Sequence, residues 1–488
     1  MSVTGSFDLV LRNVEVFDGS GAAPCFADVG IVGERIAAVG IIEWQAGQRV
    51  VEGEGRALAP GFIDSHTHDD RALLSDPGMV PKVSQGVTTV VTGNCGISLA
   101  PIRLAEAPVP PMDLLGGRDW FRYDRFAAYL QDLDAHPPAV NAACQVGHST
   151  LRVRVMEDLD RPAAPHEVEC MQALLREALQ DGAIGFSTGL HYAPAFYAPP
   201  AETEDLARVV REYGGIYTTH MRTEEDLVLE AMAESAALGR NTGVPVVLSH
   251  HKVAGPQNYG RSVETLSLMD DLRQEIDIGL DAYPYAASST ILDMDFVKDS
   301  SEVMIAWSTS EPAMSGRLLS EILVEWKVDA ETACSRLQPA GAVYFQMDEG
   351  DVRRILRYPH TMIGSDGLPH DSHPHPRLWG TFPRVLGHYS RDEGLFTLQQ
   401  AIHRMTGLTA RSFGLRDRGI IREGAYADLV LFDRDEIIDC GTFEQPAIPA
   451  AGIHTVFVNG RPVWQDGAAT GARPGHVLRR QTQDRPQL

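Results

Sequence analysis

The chain has 488 residues, 44% hydrophobic and 22% charged, which is a globular composition with room for one large and one smaller domain. Its formal net charge of -24, from 66 acidic and 42 basic side chains, opposes binding to nucleic acid or to an anionic membrane. No apolar run reaches the length of about 18 residues that a membrane span needs, and the N-terminus lacks a signal-peptide pattern. Six cysteines without paired spacing favour reduced thiols, so we expect a cytoplasmic protein.

Both ends of the chain predict β-structure. Residues 7–18 and 28–39 are apolar-rich runs broken by Gly and Asp, as hairpins require, and similar runs return at 427–433 and 454–464. Asn459-Gly460 sits between two apolar runs, which is the strongest short hairpin signal. We therefore predict one small β-sandwich domain formed by both chain ends, residues 1–57 and 418–480.

The middle of the chain alternates apolar runs with helical patterns such as 165–180 and 202–213, which indicates a parallel sheet. The eight candidate strands cover 58–68, 88–96, 141–149, 182–190, 215–222, 244–252, 277–285 and 360–368. This pattern predicts an α/β fold with a TIM-like (β/α)8 barrel over 58–417. The gap 286–359 is too long for a loop and predicts an inserted helical lid or subdomain.

Side chains that can do chemistry lie where six of these strands end. Taken in strand order, they are His66 and His68, Cys95, His220, His250 and Lys252, Asp281 and Tyr283, and Asp366. Barrel enzymes place their active sites at this C-terminal rim. Because alternate residues of a strand share a face, His66 should point with His68 and His250 with Lys252, while His251 should face the helices.

This set of residue types indicates a metal site. Cys95, His220 and His250 would supply three ligands and leave a fourth position for water, the arrangement of catalytic zinc. One such histidine alone could be a hydrogen-bonded rim residue, and one buried cysteine could be a small core residue. Their concentration at one end of the predicted barrel favours the metal site.

The residues 60–68, PGFIDSHTH, resemble the PGFIDxHxH signature that opens the barrel in the amidohydrolase superfamily. Many binuclear members bridge two metals with a carboxylated lysine on strand four, yet 182–190 contains no lysine. Strand two instead supplies Cys95, and in this the chain resembles the D-aminoacylase branch, the N-acyl-D-amino acid deacylases. Further matches to that branch are GFSTGL at 185–190, SHHK at 249–252, YPY at 283–285 and HPHPR at 373–377.

The resemblance implies a ligand set for the metals. Cys95, His220 and His250 would hold a tight zinc, and His66 and His68 would form a second, weaker site together with His250. Because the bridging lysine is missing, we expect one working zinc. Zinc can lower the pKa of bound water to about 7 and polarise a carbonyl.

The resemblance also implies that Asp366 is the general acid and base that moves the proton from water to the leaving amine. The alternatives for Asp366 are a plain metal ligand or a helix cap.

Substrate binding is predicted from the remaining polar residues of the rim. Arg377 could pair bidentately with a substrate carboxylate, with Tyr283 donating to the same group, although an exposed loop arginine is usually solvated. Lys252 would then need a counter-charge, which an acidic D-amino acid such as D-glutamate would provide. Ser289, flanked by Ser288 and Thr290, could add hydroxyl donors, and Tyr192 is a further candidate. The alternative is that Lys252 pairs with a protein carboxylate or with the substrate's α-carboxylate.

The activity that the resemblance implies is hydrolysis of small N-acyl-D-amino acids, leaning to N-acyl-D-glutamate, by a monomer or a small homo-oligomer. A first alternative is a cyclic-amide hydrolase, of the hydantoinase or dihydropyrimidinase kind, which shares the opening HxH. The missing strand-four lysine and the presence of Cys95 count against it. The second alternative is a non-enzymatic scaffold, but such proteins tend to lose metal ligands and every expected position here is filled.

Overall fold

The computed structural model describes residues 2–3, 6–43 and 47–480, and its centre is a parallel sheet closed into a barrel. Its eight strands within these residues are Phe62–Asp64, Val87–Thr92, Asn141–Gly147, Gly185–Gly189, Ile216–His220, Val246–Leu248, Ile278–Ala282 and Thr361–Ile363. Each strand pairs in parallel with the next one along the chain. The ring closes between the first and eighth strands, where the Asp366 amide donates to the His66 carbonyl at 2.9 Å.

Helices surround the barrel and follow its strands. The α-helices are Ala72–Ser75, Val80–Val83, Phe126–Ala135, His148–Val155, Pro165–Asp181, Ala193–Phe196, Pro200–Glu212, Val228–Thr242, Ser262–Arg273, Met294–Lys298, Leu319–Trp326, Ala330–Leu337, Glu349–Arg357, Arg377–Arg384, Leu398–Met405 and Gly407–Ser412. Short 3-10 turns occupy Met112–Leu115, Arg118–Trp120, Pro256–Asn258 and Pro312–Met314, and Val385–Asp392 is π-helical. The predicted (β/α)8 class is therefore confirmed.

A second large sheet is built from both ends of the chain. Its ten strands in the described residues are Ser2–Val3, Phe7–Val16, Cys25–Val32, Arg35–Ile42, Gly47–Glu52, Ala57–Pro60, Leu429–Phe432, Ile453–Val458, Arg461–Gln465 and Ala468–Ala469. The terminal sheet, as we call it, joins the two ends where Ala57–Pro60 pairs with Leu429–Phe432. The predicted strand-rich domain is thus confirmed, whereas its exact limits stay a prediction, and residues 1, 4–5 and 44–46 lie outside the described residues.

The predicted first barrel strand, 58–68, is wrong in one respect, because the chain changes sheets within it. Ala57–Pro60 belongs to the terminal sheet and Phe62–Asp64 belongs to the barrel. Gly61 makes this passage possible: a Cβ atom there would lie 2.2 Å from the Thr88 side chain. The Gly61 amide meanwhile donates to the Asp428 carbonyl at 2.8 Å.

The sequence predicted a helical lid or subdomain for the inserted segment, but the segment contains strands as well as helices. Three antiparallel strands, Ala287–Ile291, Glu302–Ser308 and Ala340–Phe345, form a small sheet covered by Met294–Lys298, Leu319–Trp326 and Ala330–Leu337. A two-stranded ribbon, Ile102–Arg103 with Arg122–Tyr123, lies elsewhere on the rim. The apolar residues in the short strands of the insertion do not alternate regularly with polar ones, so periodicity did not separate these strands from helices.

Two negative findings concern the described residues. None of their helices combines the length and the apolar composition needed to cross a membrane. All six cysteines lie within the described ranges and are free thiols.

Candidate metal centre

The barrel rim brings together the five predicted metal ligands and Asp366, which was predicted as the general acid and base. His66 and His68 follow the first strand, Cys95 the second, His250 the sixth and Asp366 the eighth, while the remaining residue, His220, ends the fifth. All six side chains are buried. His251 points away, as predicted, and its Nε2 lies 2.9 Å from the Thr265 hydroxyl on helix Ser262–Arg273.

The donor atoms lie close enough to share a cation. The Cys95 Sγ is 3.2 Å from the Nε2 of His66 and 3.3 Å from the Nε2 of His250. The Asp366 Oδ1 is 3.5 Å from the Nε2 of His66 and 3.3 Å from the Nε2 of His68. Both groupings keep all ligand atoms within 4.8 Å of one another.

A third grouping contains a residue that the sequence did not identify, Glu224. Its Oε1 lies 3.0 Å from the Nδ1 of His250, and its Oε2 lies 3.9 Å from the Nε2 of His220. His220 thus groups with Glu224 and His250, while Cys95 groups with His66 and His250. Only His250 is common to these two groups, so the predicted trio of Cys95, His220 and His250 stays a prediction.

Local backbone geometry presents the thiol. Cys95 adopts a left-handed conformation with φ of 51°, directly after the second barrel strand. Gly96 follows with φ of 76°, and a Cβ there would lie 2.7 Å from the Gly189 amide nitrogen. The Asn94 side chain fixes the same turn by donating to the Thr67 carbonyl at 3.2 Å and the Val91 carbonyl at 2.9 Å.

The electrostatics of the cluster suit a metal cation. Burial lowers the pKa of both His66 and His220 well below the usual value, so their imidazoles are neutral, which is the form that ligates metals. Burial, reinforced by the Asp366 carboxylate, raises the pKa of the Cys95 thiol well above its usual value. A Cys95 thiolate therefore needs a neighbouring cation, and thiolate with imidazole is the donor set of zinc.

Lys252 is paired within the protein, which corrects the predicted unpaired cation. Its Nζ donates to the Glu224 Oε2 at 2.6 Å. Burial alone would lower the pKa of Lys252, but Glu224 outweighs it and the net pKa is raised. The carboxylate that the sequence left unidentified comes from the loop after the fifth strand, four residues beyond His220.

Arg377 was predicted to bind the substrate carboxylate, with a solvated side chain as the alternative, and it is paired within the protein. It begins helix Arg377–Arg384, it is fully buried, and its Nη1 lies 3.0 Å from the Asp366 Oδ2. Burial raises the pKa of Asp366, but Arg377 and the nearby histidines outweigh it, so the net pKa is well below the usual value. Tyr283 packs its ring 4.5 Å from the guanidinium, and its hydroxyl has no hydrogen-bond partner among the described residues.

A pocket opens over the cluster. Tyr192 and Ser289, both predicted as binding residues, line it, as do Lys252 and Asp366. The Tyr192 hydroxyl lies 2.9 Å from the Thr290 hydroxyl, whereas the Ser289 hydroxyl has no partner among the described residues. The rest of the lining is mixed: beside the cluster residues it contains five apolar residues and three polar ones, namely Ile97, Pro111, Leu114, Phe296 and Leu368 with Ser288, Thr290 and Gln346.

Asp281 and Glu224 also support the cluster. Asp281 was noted at the end of the seventh strand without a predicted role, and Glu224 was not identified from the sequence. The His250 amide donates to the Asp281 Oδ1 at 2.8 Å, and burial raises the pKa of Asp281 to about 8. Its place on the seventh strand was a signal for Asp281. The need of a buried lysine for a counter-charge was the signal for Glu224.

Comparison with known proteins shows similarity over nearly the whole chain, and three of the similar sequences are described by their identity and coverage. The amidohydrolase family profile matches residues 49–306 and 316–464. A D-aminoacylase from Alcaligenes xylosoxydans xylosoxydans is 53% identical, covering 97% of this chain and 98% of its own. From the same organism, an N-acyl-D-aspartate deacylase is 49% identical (96% and 95% coverage) and an N-acyl-D-glutamate deacylase 47% identical (97% and 96%).

Solved structures agree in fold. A D-aminoacylase described by one-metal activation and second-metal attenuation of a binuclear centre superposes with a TM-score of 0.95 at 54% identity, covering 97% of this chain and all of its own. The N-acyl-D-glutamate deacylase of Bordetella bronchiseptica, solved with zinc and a phosphonate inhibitor, gives 0.93 at 45% with the same coverage. An L-hydantoinase from Arthrobacter aurescens gives 0.61 at 15% identity over 97% of this chain and all of its own, which is a likeness of fold alone.

Proposed function

The chain belongs to the amidohydrolase family and is a metal-dependent hydrolase that acts on amides, and from this premise we propose that it deacylates N-acyl-D-amino acids. The observation that carries the proposal is the buried rim cluster in which Cys95 lies against two histidines while strand Gly185–Gly189 offers no lysine. Three relatives of at least 47% identity support this substrate class: a D-aminoacylase, an N-acyl-D-aspartate deacylase and an N-acyl-D-glutamate deacylase.

We propose zinc as the metal, held tightly at one site by Cys95, His220 and His250. A second, weaker site would use His66 and His68 together with His250. The donor types support zinc. Bound zinc would supply a Lewis acid for the amide carbonyl and a water molecule with a pKa of about 7.

Asp366 is proposed to take the proton of the attacking water and to return it to the leaving nitrogen. Its Oδ1 faces His66 and His68, while its Oδ2 is held by Arg377 at 3.0 Å. One oxygen is thus fixed, which leaves the other directed at the cluster. Arg377 and Tyr283 are proposed to receive the substrate's α-carboxylate, with Arg377 then shared between that group and Asp366.

The side chain of the preferred D-amino acid is a finer question. D-glutamate was predicted because Lys252 needed a counter-charge, and Glu224 already provides one at 2.6 Å. The apolar part of the cavity lining, which includes Leu114, Phe296 and Leu368, supports a neutral side chain instead. The Ser289 hydroxyl and its neighbours remain the support for an acidic one. We therefore propose a neutral preference, with N-acyl-D-glutamate as the alternative.

A cytoplasmic location is proposed as well, supported by six free thiols.

A screen of N-acetyl-D- and N-acetyl-L-amino acids, read by release of free amine, tests the proposal. We expect turnover of D-enantiomers, with kcat/KM for N-acetyl-D-leucine and N-acetyl-D-methionine above that for N-acetyl-D-glutamate and N-acetyl-D-aspartate. Turnover of the L-enantiomers in place of the D-series would overturn the proposed D-specificity. Turnover of dihydrouracil in place of the N-acyl-amino acids would overturn the proposed deacylase activity. A preference for N-acetyl-D-glutamate of more than about 100-fold would restore the acidic alternative.

A further inference from the structure

We propose that Lys82 is a positioning residue that locks together the loops after the first and eighth barrel strands, an inference that rests on the roles proposed for His66, His68 and Asp366. The loop after the first strand carries the two histidines, and the loop after the eighth carries Asp366. Lys82 itself comes from neither loop. It lies on the short helix Val80–Val83 that precedes the second strand.

The ammonium group of Lys82 is surrounded by three acceptors. Its Nζ donates to the Asp64 Oδ2 at 2.9 Å and to the Ser365 hydroxyl at 2.8 Å, and it lies 3.3 Å from the Asp69 Oδ2. The ammonium thus donates two of its three protons in hydrogen bonds, and its contact with Asp69 is an ion pair. Lys82, Asp64 and Asp69 are all buried, with 1% or less of each side chain exposed.

Two of these acceptors lie where the first and eighth strands end at the seam of the barrel. Asp64 ends the first strand, and its Oδ1 accepts from the Ser365 amide at 2.7 Å and from the His66 amide at 3.3 Å. Ser365 immediately precedes Asp366, and its hydroxyl also accepts from the Gly367 amide at 3.2 Å. A single buried cation therefore contacts the residue that fixes the His66 backbone and the neighbour of Asp366.

The backbone pairing at the seam is limited. It consists of the Asp366 amide to His66 carbonyl bond at 2.9 Å, a longer bond of 3.4 Å from the Ser65 amide to the Ile363 carbonyl, and one isolated bridge between Thr67 and Gly367. The other neighbouring barrel strands pair over three to five residues. The side chains of Lys82, Asp64 and Ser365 beneath the site therefore add to the few backbone contacts that hold His66 beside Asp366.

A purely structural role does not account for the charge. Buried ion pairs contribute little net stability, and apolar residues of similar volume often replace them without loss. Their best use is to specify one arrangement. Burial alone would lower the pKa of Lys82, but Asp64 and Asp69 together outweigh it and the net pKa is raised, so the group stays charged.

Three variants of the metal-loaded enzyme test the proposal. Lys82→Met removes the charge at similar length, and Ser365→Ala removes only the hydroxyl that links Lys82 to the eighth strand. Ser84→Ala is the matched control, because Ser84 is equally buried and its hydroxyl has no hydrogen-bond partner among the described residues. For N-acetyl-D-leucine we expect kcat to fall about 10- to 100-fold in the first two variants, with KM and the control nearly unchanged.

A second readout does not need activity. In protein loaded with cobalt(II), the visible absorption bands report ligand geometry, and we expect them to shift in Lys82→Met and Ser365→Ala but not in Ser84→Ala. If Lys82→Met fails to fold, Ser365→Ala decides alone. The proposal is overturned if the folded variants match Ser84→Ala in both kcat and cobalt spectrum. Should the wild type not deacylate any N-acyl-D-amino acid, the proposed function fails, while the spectra still decide on Lys82.

Discussion

The barrel rim and the terminal sheet both contain non-glycine residues in the left-handed backbone conformation, but the rim includes a cysteine, a residue type that rarely adopts it. In the terminal sheet, Asn459 at 47° and Asp466 at 50° occupy hairpin turns, and Asn and Asp tolerate this conformation. At the rim the positions are taken by Cys95 at 51°, His250 at 37° and Asp366 at 49°. Strained positions of this kind cost about 1–3 kcal/mol each and cluster at functional sites.

The residue types at these left-handed positions indicate whether the turn or the chemistry of the site requires each residue. In the hairpins the backbone geometry selects residue types that suit the turn. At the rim the site needs a thiol, an imidazole and a carboxylate, and the surrounding packing holds Cys95 in a conformation that its residue type disfavours. Variants can therefore separate the two regions, since rim changes should alter turnover and hairpin changes should alter stability.

The largest kinetic effect among these variants is expected for Asp366→Asn. Asparagine keeps the shape and accepts the left-handed backbone, so the fold and the zinc content should be retained. It cannot exchange a proton at neutral pH, and kcat should fall about 100- to 10,000-fold. Steady-state kinetics with N-acetyl-D-leucine and zinc analysis of the same sample measure both quantities. A fully active Asp366→Asn enzyme would remove Asp366 from proton transfer.

Arg377→Ala should have a smaller and more selective effect. If Arg377 binds the α-carboxylate, free acids lose that ion pair, whereas substrates amidated at the carboxyl group never made it. Loss of the ion pair between Arg377 and Asp366 affects both substrate types equally, so the ratio of their kcat/KM values isolates recognition. We expect the free acid to lose at least about 30-fold more than the amide, since an ion pair truncated on one side costs at least about 2 kcal/mol. Equal losses would place Arg377 in support of Asp366 alone.

Asn459→Ala should leave turnover unchanged and act on stability only. The substitution forces alanine into a left-handed turn and removes hydrogen bonds of 2.8 Å from the Asn459 Nδ2 to the Asn141 side chain and to the Pro474 carbonyl. The free energy of unfolding should fall by about 1–3 kcal/mol, measured by urea denaturation. A drop in kcat at full stability would mean that the terminal sheet contributes to the rim geometry.

The sequence was sufficient to predict the barrel and the residues of the cluster, because strand periodicity and polar strand ends are local features. His66 and His68 share one strand end, and Cys95, His220 and Asp366 each follow an apolar run. The supporting contacts could not be predicted, since they form only in the tertiary structure. Glu224 contacts His250 and Lys252, and Lys82 contacts Ser365. Glu224 occurs in an acidic run, Glu224 to Asp226, that reads as a solvated loop.

The grouping of ligands was likewise beyond the sequence. Cys is not a residue type that favours a left-handed backbone, so nothing local indicated that Cys95 turns its thiol toward the Nε2 atoms of His66 and His250. The change of sheets at Gly61 was hidden for a related reason, because one uninterrupted apolar run serves two sheets.

Zinc titration of the wild type and of Cys95→Ala decides whether the rim cluster is a metal-dependent deacylase centre. Both proteins are stripped with a chelator, refilled stepwise with zinc, and assayed with N-acetyl-D-leucine after each addition. We expect wild-type turnover to saturate at about one equivalent of zinc, and Cys95→Ala to bind zinc weakly and remain inactive. Stoichiometric zinc and near-normal kcat in Cys95→Ala would contradict this assignment and place the metal on other residues.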